Sequence, residues 1–191
     1  MMRTLILIST ILLFSFSCKQ SDTFFPDKQT VLTTEFSNFE NFFPIVTLDL
    51  STKGIKDKIH IMYVSFDPDN YNKKYFPEND NIDEFTFNIL ENDLYQPVFD
   101  KSVLIIGERF KEPFEFGKVK YKKAKEKKTY LIEMPDEPEW WQNDITPLNS
   151  KGKKMKFICQ VDMYELSEDD CRLYIFYDKD DKKVKYIYQR N

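Results

Sequence analysis

The sequence predicts an α+β fold, mostly antiparallel sheet with few short helices, and three observations carry that prediction. Aromatic residues make up 16% of the 191 residues, chiefly Phe and Tyr, which suit half-buried pleated surfaces and argue against disorder. Short apolar runs recur between polar, turn-rich stretches, and several alternate with period two. Three of these runs stand close together at the C-terminal end, as in a meander of hairpin-linked strands.

The first seventeen residues have the parts of a secretory signal instead of a domain element. Arg3 supplies the positive start, and Leu5 to Phe16 form an apolar run broken only by Ser9, Thr10 and Ser15. At about twelve residues the run is too short to cross a bilayer, which takes about 20 as a helix. Small Ser17 precedes Cys18, the arrangement that lipoprotein processing requires: the Cys18 thiol is alkylated by a diacylglycerol group and the chain is cleaved before it. Ser15 stands where Leu is usual, so the motif is loose, and an ordinary secreted protein cleaved nearby is the alternative. Two or three acyl chains would hold the protein stably at a membrane. Lys19, in place of an acidic residue, points to the outer membrane of a bacterial envelope, facing the periplasm or the surface.

Residues 18–33 are polar, contain Pro26, and read as the lipidated N-terminus and a tether; residues 34–191 read as one domain. Within it, Phe36, Phe39 and Phe43 recur at spacings of three and four, which suggests a short helix over Glu35–Phe43 stopped by Pro44. A loop with buried Phe side chains is the competing reading. Ile45–Leu50 and Lys58–Phe66 read as strands, the second apolar on both faces and therefore central. Asp67–Asp83 is a polar, turn-rich insertion. Phe85, Phe87 and Ile89 alternate again, and Val103–Ile106 is a short apolar run followed by Gly107.

Lys118–Lys128 holds seven lysines in eleven residues. It reads as a charged edge strand or hairpin in preference to a patch that meets anionic lipid. Tyr130–Ile132 is a strand, Met134–Pro147 is irregular, and Met155–Met163, Leu173–Tyr177 and Val184–Tyr188 complete the sheet. Ser167–Asp170 reads as a helix cap and first turn, and Asp178–Lys183 as a hairpin turn.

Composition excludes much. Removing residues 1–17 takes away one positive charge, Arg3, and moves the formal balance from −4 to −5, which gives no reason to expect nucleic acid as a partner. Four scattered glycines build no phosphate-cradling loop, and there is no nucleophile elbow. The single histidine, His60, lies in an apolar strand and reads as a satisfied core residue. Asp67-Pro68-Asp69-Asn70 begins like a calcium loop with Glu78 at its twelfth place, but Tyr71 and Asn72 break the pattern. Asp178, Asp180 and Asp181 read as turn acids. No cofactor or metal site is expected. Cys159 and Cys171 are available for a disulfide in an exported protein. If Met155–Met163 and Leu173–Tyr177 pair as a hairpin, however, Cys159 faces Ile175 and lies more than about 10 Å from Cys171, beyond the 7 Å that a disulfide spans.

One segment looks like a signature. Glu137-Pro138-Glu139-Trp140-Trp141-Gln142-Asn143-Asp144-Ile145-Thr146-Pro147 places both tryptophans between prolines, and Met155 to Asp162 follows soon after. Adjacent residues of an extended segment point opposite ways, so one tryptophan can enter a core while the other stays at the surface. Gln160 interrupts an apolar strand and reads as a buried amide that needs partners. Pro138, Trp140, Gln142, Asp144, Pro147, Met155, Phe157 and Gln160, followed by the strand Leu173–Tyr177, resemble the motif of the YwqG-like family, a bacterial domain of unknown function. The resemblance covers the C-terminal third. It implies an α+β domain built largely on antiparallel sheet, and no established reaction. Some relatives carry a C-x-x-C before the methionine, where this chain has Leu148 to Gly152 and no such knuckle. Some are thought to lie beside toxin systems, which suggests an immunity-type binder.

The expectation is therefore an envelope-anchored lipoprotein with a non-catalytic binding domain. Cys18 would carry the lipid, and Trp140, Trp141, Gln142 and Gln160 would form the binding site for a protein partner. The competing readings are an envelope hydrolase using carboxylates, such as Glu137 and Glu139, and a passive structural component.

Overall fold

The computed structural model describes residues 22–70, 72–75, 83–128, 131–166 and 170–190. The expected signal segment and Cys18 lie outside the described residues, as do Tyr71, Glu78 and residues 167–169 of the expected helical turn. Among the described residues the strands form two antiparallel sheets. In the first, β1 (Thr23–Phe24), β2 (Phe42–Leu48) and β3 (Ile59–Val64) lie in the order β1-β2-β3. The second contains β4 (Glu84–Ile89), β5 (Tyr95–Pro97), β6 (Leu131–Glu133), β7 (Lys156–Asp162), β8 (Cys171–Asp178) and β9 (Lys183–Arg190), in the order β5-β4-β9-β8-β7-β6. The helices are short α1 (Thr34–Ser37) and α2 (Lys111–Lys127), with several 3-10 turns. This is the α+β, mostly antiparallel fold that the alternation predicts.

Period two sorts the larger sheet into two unlike faces. Phe85 and Phe87 of β4, Leu173 and Ile175 of β8, and Val184 and Tyr186 of β9 point at Ile59, Ile61 and Val46 of the smaller sheet and make the main core. The opposite face carries Thr86, Arg172, Tyr174, Phe176, Lys185, Ile187 and Gln189, a mixture of polar and aromatic groups that needs its own cover. Every strand of both sheets lies at or after Thr23, so a chain that begins at Asp22 contains the whole described core.

The high tyrosine content has a structural use. Strand β3 is an edge of its sheet, and its outward backbone groups would be left unpaired. Three hydroxyls from the facing sheet reach across the core to them. Tyr95 Oη accepts His60 N–H at 3.0 Å, Tyr188 Oη accepts Val64 N–H at 3.1 Å, and Tyr186 Oη donates to the His60 carbonyl at 2.5 Å. A buried edge is thereby satisfied without another strand.

Several expectations need correcting. Residues 22–33 are not a tether: Thr23–Phe24 adds to β2, and Phe25, Val31 and Leu32 are buried, because three apolar side chains outweigh the polar residues around them. The Phe-rich helix is one turn only. Phe42 and Phe43 instead open β2, and Pro44 sits where the β2–β3 register shifts, a bulge that tolerates its missing N–H. Val103–Ile106 contributes a 3-10 turn over Lys101–Leu104 in place of a strand, held by the Asp100 carboxylate on Ser102 N–H at 2.8 Å.

The lysine run is neither edge strand nor hairpin. It is the second half of α2, whose buried or half-buried positions Phe114, Gly117, Tyr121 and Ala124 recur at helical spacing. Pro113 fits the first turn, Glu112 and Glu115 lie near the positive N-terminal end, and the lysines favour the C-terminal end. Phe43 holds the helix against β2 through ring contacts with Phe114 and Tyr121, at 6.3 and 5.1 Å.

The C-terminal meander runs as predicted. Cys159 pairs with Ile175 and Cys171 with Arg190, and both cysteines are buried thiols not joined in a disulfide.

Candidate functional site

Residues 137–155 cross the polar face of the larger sheet as a strap with no regular secondary structure over most of its length, and the side chains of that face hold it by its backbone. Gln160 of β7, fully buried, accepts Glu139 N–H at 3.0 Å and donates to the carboxylates of Glu133 (2.7 Å) and Glu139 (2.9 Å). All of its amide hydrogens and its oxygen are thereby engaged. Tyr174 of β8 donates to the Glu139 carbonyl at 2.8 Å. Gln189 of β9 does most: its Oε1 accepts both Trp141 N–H and Gln142 N–H, at 2.9 and 3.0 Å, and its Nε2 donates to the Asn143 carbonyl at 2.8 Å. A proline-rich segment cannot join a ladder, so glutamines stand in for a neighbouring strand.

The two tryptophans part as extended geometry requires. Trp140 turns inward and lies on Tyr174 and Phe176, at centroid distances of 4.6 and 5.8 Å, closing a small second core with Met155 and Ile187. Trp141 turns outward, half-buried, with the Arg172 guanidinium 4.8 Å from its ring. Arg172 also lies 3.5 Å from Glu139 and 4.0 Å from Glu133, and its buried Nε has no hydrogen-bond partner among the described residues. Gln142 is exposed and donates to the Arg190 carbonyl at 2.6 Å.

Of the four expected binding residues, Trp140 and Gln160 thus build the strap, Trp141 is presented at the surface, and Gln142 lies exposed beside it. Sequence reasoning missed Arg172 and Gln189. The signal was there in β9, where Lys185, Ile187 and Gln189 alternate with buried Tyr186 and Tyr188, the mark of a strand covered on both faces.

The converging carboxylates are Glu133 and Glu139, not Glu137 and Glu139, and both are hydrogen-bonded by Gln160 and lie beside Arg172. Further along, the strap turns tightly over Leu148 to Gly152. Here Ser150 donates both its N–H and its hydroxyl to Asp181, at 2.9 and 2.8 Å, and Gly152 supplies a left-handed residue at φ 71°. Between this turn and the sheet lies a polar recess of about 310 Å³ lined by Thr86, Asp178, Lys183 and Lys185. Lys185 is buried there against Glu84 at 3.4 Å.

Other candidate residues have structural roles. His60 is buried; its Nε2 faces the Asp93 carbonyl at 3.0 Å and its Nδ1 the Thr47 hydroxyl at 2.8 Å. A carbonyl only accepts, so Nε2 carries the hydrogen and Nδ1 accepts from Thr47. Burial lowers the pKa of His60 to about 4, opposed by its contact with the Asp93 carbonyl. Asp67 uses one oxygen on Asp69 N–H and the other on Gly107 N–H, both at 2.9 Å, so it ties the insertion to the start of the α2 region. No helix of the described residues is long and apolar enough to cross a membrane. Comparison with protein-family models, curated proteins and solved structures gives no match to this chain.

Proposed function

We propose that this protein is an envelope-anchored lipoprotein, lipidated at Cys18, whose domain is a non-catalytic binding module that presents Trp141 to a protein partner. The observation that carries the reading is how Trp141 is held. Its backbone N–H is fixed by Gln189 and Tyr174, and its ring lies on Arg172, yet the indole is still half-exposed. Tryptophan and arginine dominate the energetics of protein contacts, and a rigid pair loses little entropy on binding. Exposed Gln142 and Asn143 beside the ring offer amides for the rim of such a contact. The resemblance to the YwqG-like family supports the same region, because its spaced residues Pro138, Trp140, Gln142 and Gln160 belong to this one strap and the strand beneath it. An immunity-type protein that binds a protein toxin is the specific form we favour.

Two measurements test the two halves. Metabolic labelling with a palmitate analogue should mark the wild-type chain and be lost in Cys18→Ser; labelling that survives the substitution removes the anchor. Affinity capture from native envelope and culture supernatant should return a partner with the wild-type domain that a folded Trp141→Ala variant releases. Equal capture by both would remove Trp141 from the contact.

A further inference from the structure

The outer face of α2 has no use in the binding surface just described. Its inner stripe rests on the three-stranded sheet, and from Phe116 onward the opposite arc carries Phe116, Val119, Lys123 and Lys127 at helical spacing. Phe116 and Val119 are 51% and 49% exposed. Tyr164, 60% exposed, stands beside them: Lys120 Nζ donates to its carbonyl at 2.5 Å and lies over both its ring and that of Phe116, at 4.9 and 5.9 Å. Exposed apolar groups set among lysines are the make-up of a surface that lies in a headgroup layer.

Charge points the same way. The helix with its C-cap Lys128 carries eight lysines against three glutamates, net +5, whereas the whole chain is −4, so the remainder carries −9. A merely solvated helix tends to intersperse both signs. Among the described residues, no carboxylate lies within ion-pair distance of Lys122, Lys123 or Lys127, so their charge is available to an outside anion.

The position of the N-terminal strand supplies the occupant. Phe25, immediately after β1, touches Tyr121 of α2 at 5.7 Å, and Pro26 and Lys28 share a surface recess with Lys118 and Lys125. Only three residues lie between Cys18 and Asp22, so the four steps reach at most about 14 Å even when fully extended. A lipid on Cys18 would hold this side of the domain, and not the strap on the far side of the larger sheet, against the bilayer.

We propose that the outer face of α2, together with Tyr164, docks on the anionic headgroups of the bilayer that holds the lipid; the choice of occupant rests on the lipid-anchor reading above. Docking there orients the domain and leaves Trp141 facing away from the membrane. Each lysine near an anionic surface contributes about fivefold in affinity, so three contribute roughly a hundredfold, and salt screens the effect.

The test uses residues 22–191, which contain the complete described core, in flotation with vesicles of phosphatidylcholine alone or mixed with phosphatidylglycerol. The expected result is binding to the anionic vesicles at low salt, loss at high salt, and a roughly hundredfold weakening in Lys122→Gln/Lys123→Gln/Lys127→Gln. These side chains are exposed, and an unchanged urea midpoint would show that the triple variant keeps its fold. No binding to anionic vesicles at low salt, or equal binding by the triple variant, overturns the proposal. A concentration-dependent dimer abolished by Phe116→Ser would also overturn it, by assigning the face to a second copy. Vesicle binding without Cys18 labelling would remove the anchor alone, and labelling without vesicle binding the docking surface alone.

Discussion

The side-chain oxygen of Gln189 accepts the backbone N–H of Trp141 at 2.9 Å, and that one contact joins the last strand of the chain to a segment 48 residues earlier. The same oxygen takes Gln142 N–H, so one buried amide fixes the base of the half-buried indole. The strap covers a polar sheet face by pairing with the side chains of Gln160, Tyr174 and Gln189, while the buried Nε of Arg172 on that face has no hydrogen-bond partner among the described residues.

Replacing Gln189 with Leu leaves Gln142 N–H without its acceptor and the Asn143 carbonyl without its donor, and leaves Trp141 N–H only the Tyr174 hydroxyl, so it should cost about 2–4 kcal/mol. Gln160→Leu should cost a similar amount, because Glu139 N–H loses its acceptor and two carboxylates lose a donor. Urea midpoints measure both. Limited proteolysis should cut either variant within 137–147 faster than wild type, and unchanged cleavage would mean that the glutamines do not hold the strap.

The tryptophans should separate stability from recognition. Trp140→Ala removes a ring packed on Tyr174 and Phe176 and should destabilise by about 3 kcal/mol. Trp141→Ala gives up a half-exposed ring over Arg172 and should cost about 1 kcal/mol or less. Equal losses in chemical denaturation would contradict the inward and outward assignment.

His60 binds its proton less readily in the fold than in the open chain. Desolvation lowers its pKa from 6.5 to about 4, so the unfolded state takes up more protons between those values. Its contribution is fully present above pH 6.5 and is lost as pH falls through about 4, with a full size on the order of 3 kcal/mol. Denaturation midpoints of wild type should fall more steeply from pH 7 to pH 5 than those of His60→Gln. Parallel slopes would show that another group is responsible.

Both cysteines should remain thiols even in an oxidising compartment. Cys159 faces Ile175, four residues from Cys171 along β8, and burial pushes its thiol pKa well up, so little thiolate forms. A thiol reagent should react with neither in the native state and with both in denaturant. Peptide mapping without reductant that recovered a Cys159–Cys171 link would refute the strand register itself.

Much of the fold was legible because strand alternation is a local signal. Phe85 to Ile89, Met155 to Met163 and the two strands after it appear at nearly their observed bounds, and the hairpin register that keeps the cysteines apart follows from those bounds. The lysine run was misread because adjacent Lys118-Val119-Lys120-Tyr121 imitates period two. The helical stripe of Phe114, Gly117, Tyr121 and Ala124 emerges only over a longer window, with two small residues in place of large apolar ones. The N-terminal segment was misread for a related reason: Phe25, Val31 and Leu32 are too widely spaced to show a pattern and are buried by partners distant in sequence.

The sequence by itself determined seven of the nine described strands, though not Thr23–Phe24 or Tyr95–Pro97, their apolar alternation, and the segment around Trp140 and Trp141 that stands apart from the rest. The tertiary structure decided which tryptophan faces solvent, which amides hold it, and that the lysines form one face of a helix beside the first strand. Alternation and spacing act through neighbours a few residues apart, and composition acts through none. The pairing of Gln189 with Trp141, or of Tyr121 with Phe25, joins residues 48 and 96 positions apart, and only the packed sheets bring them together.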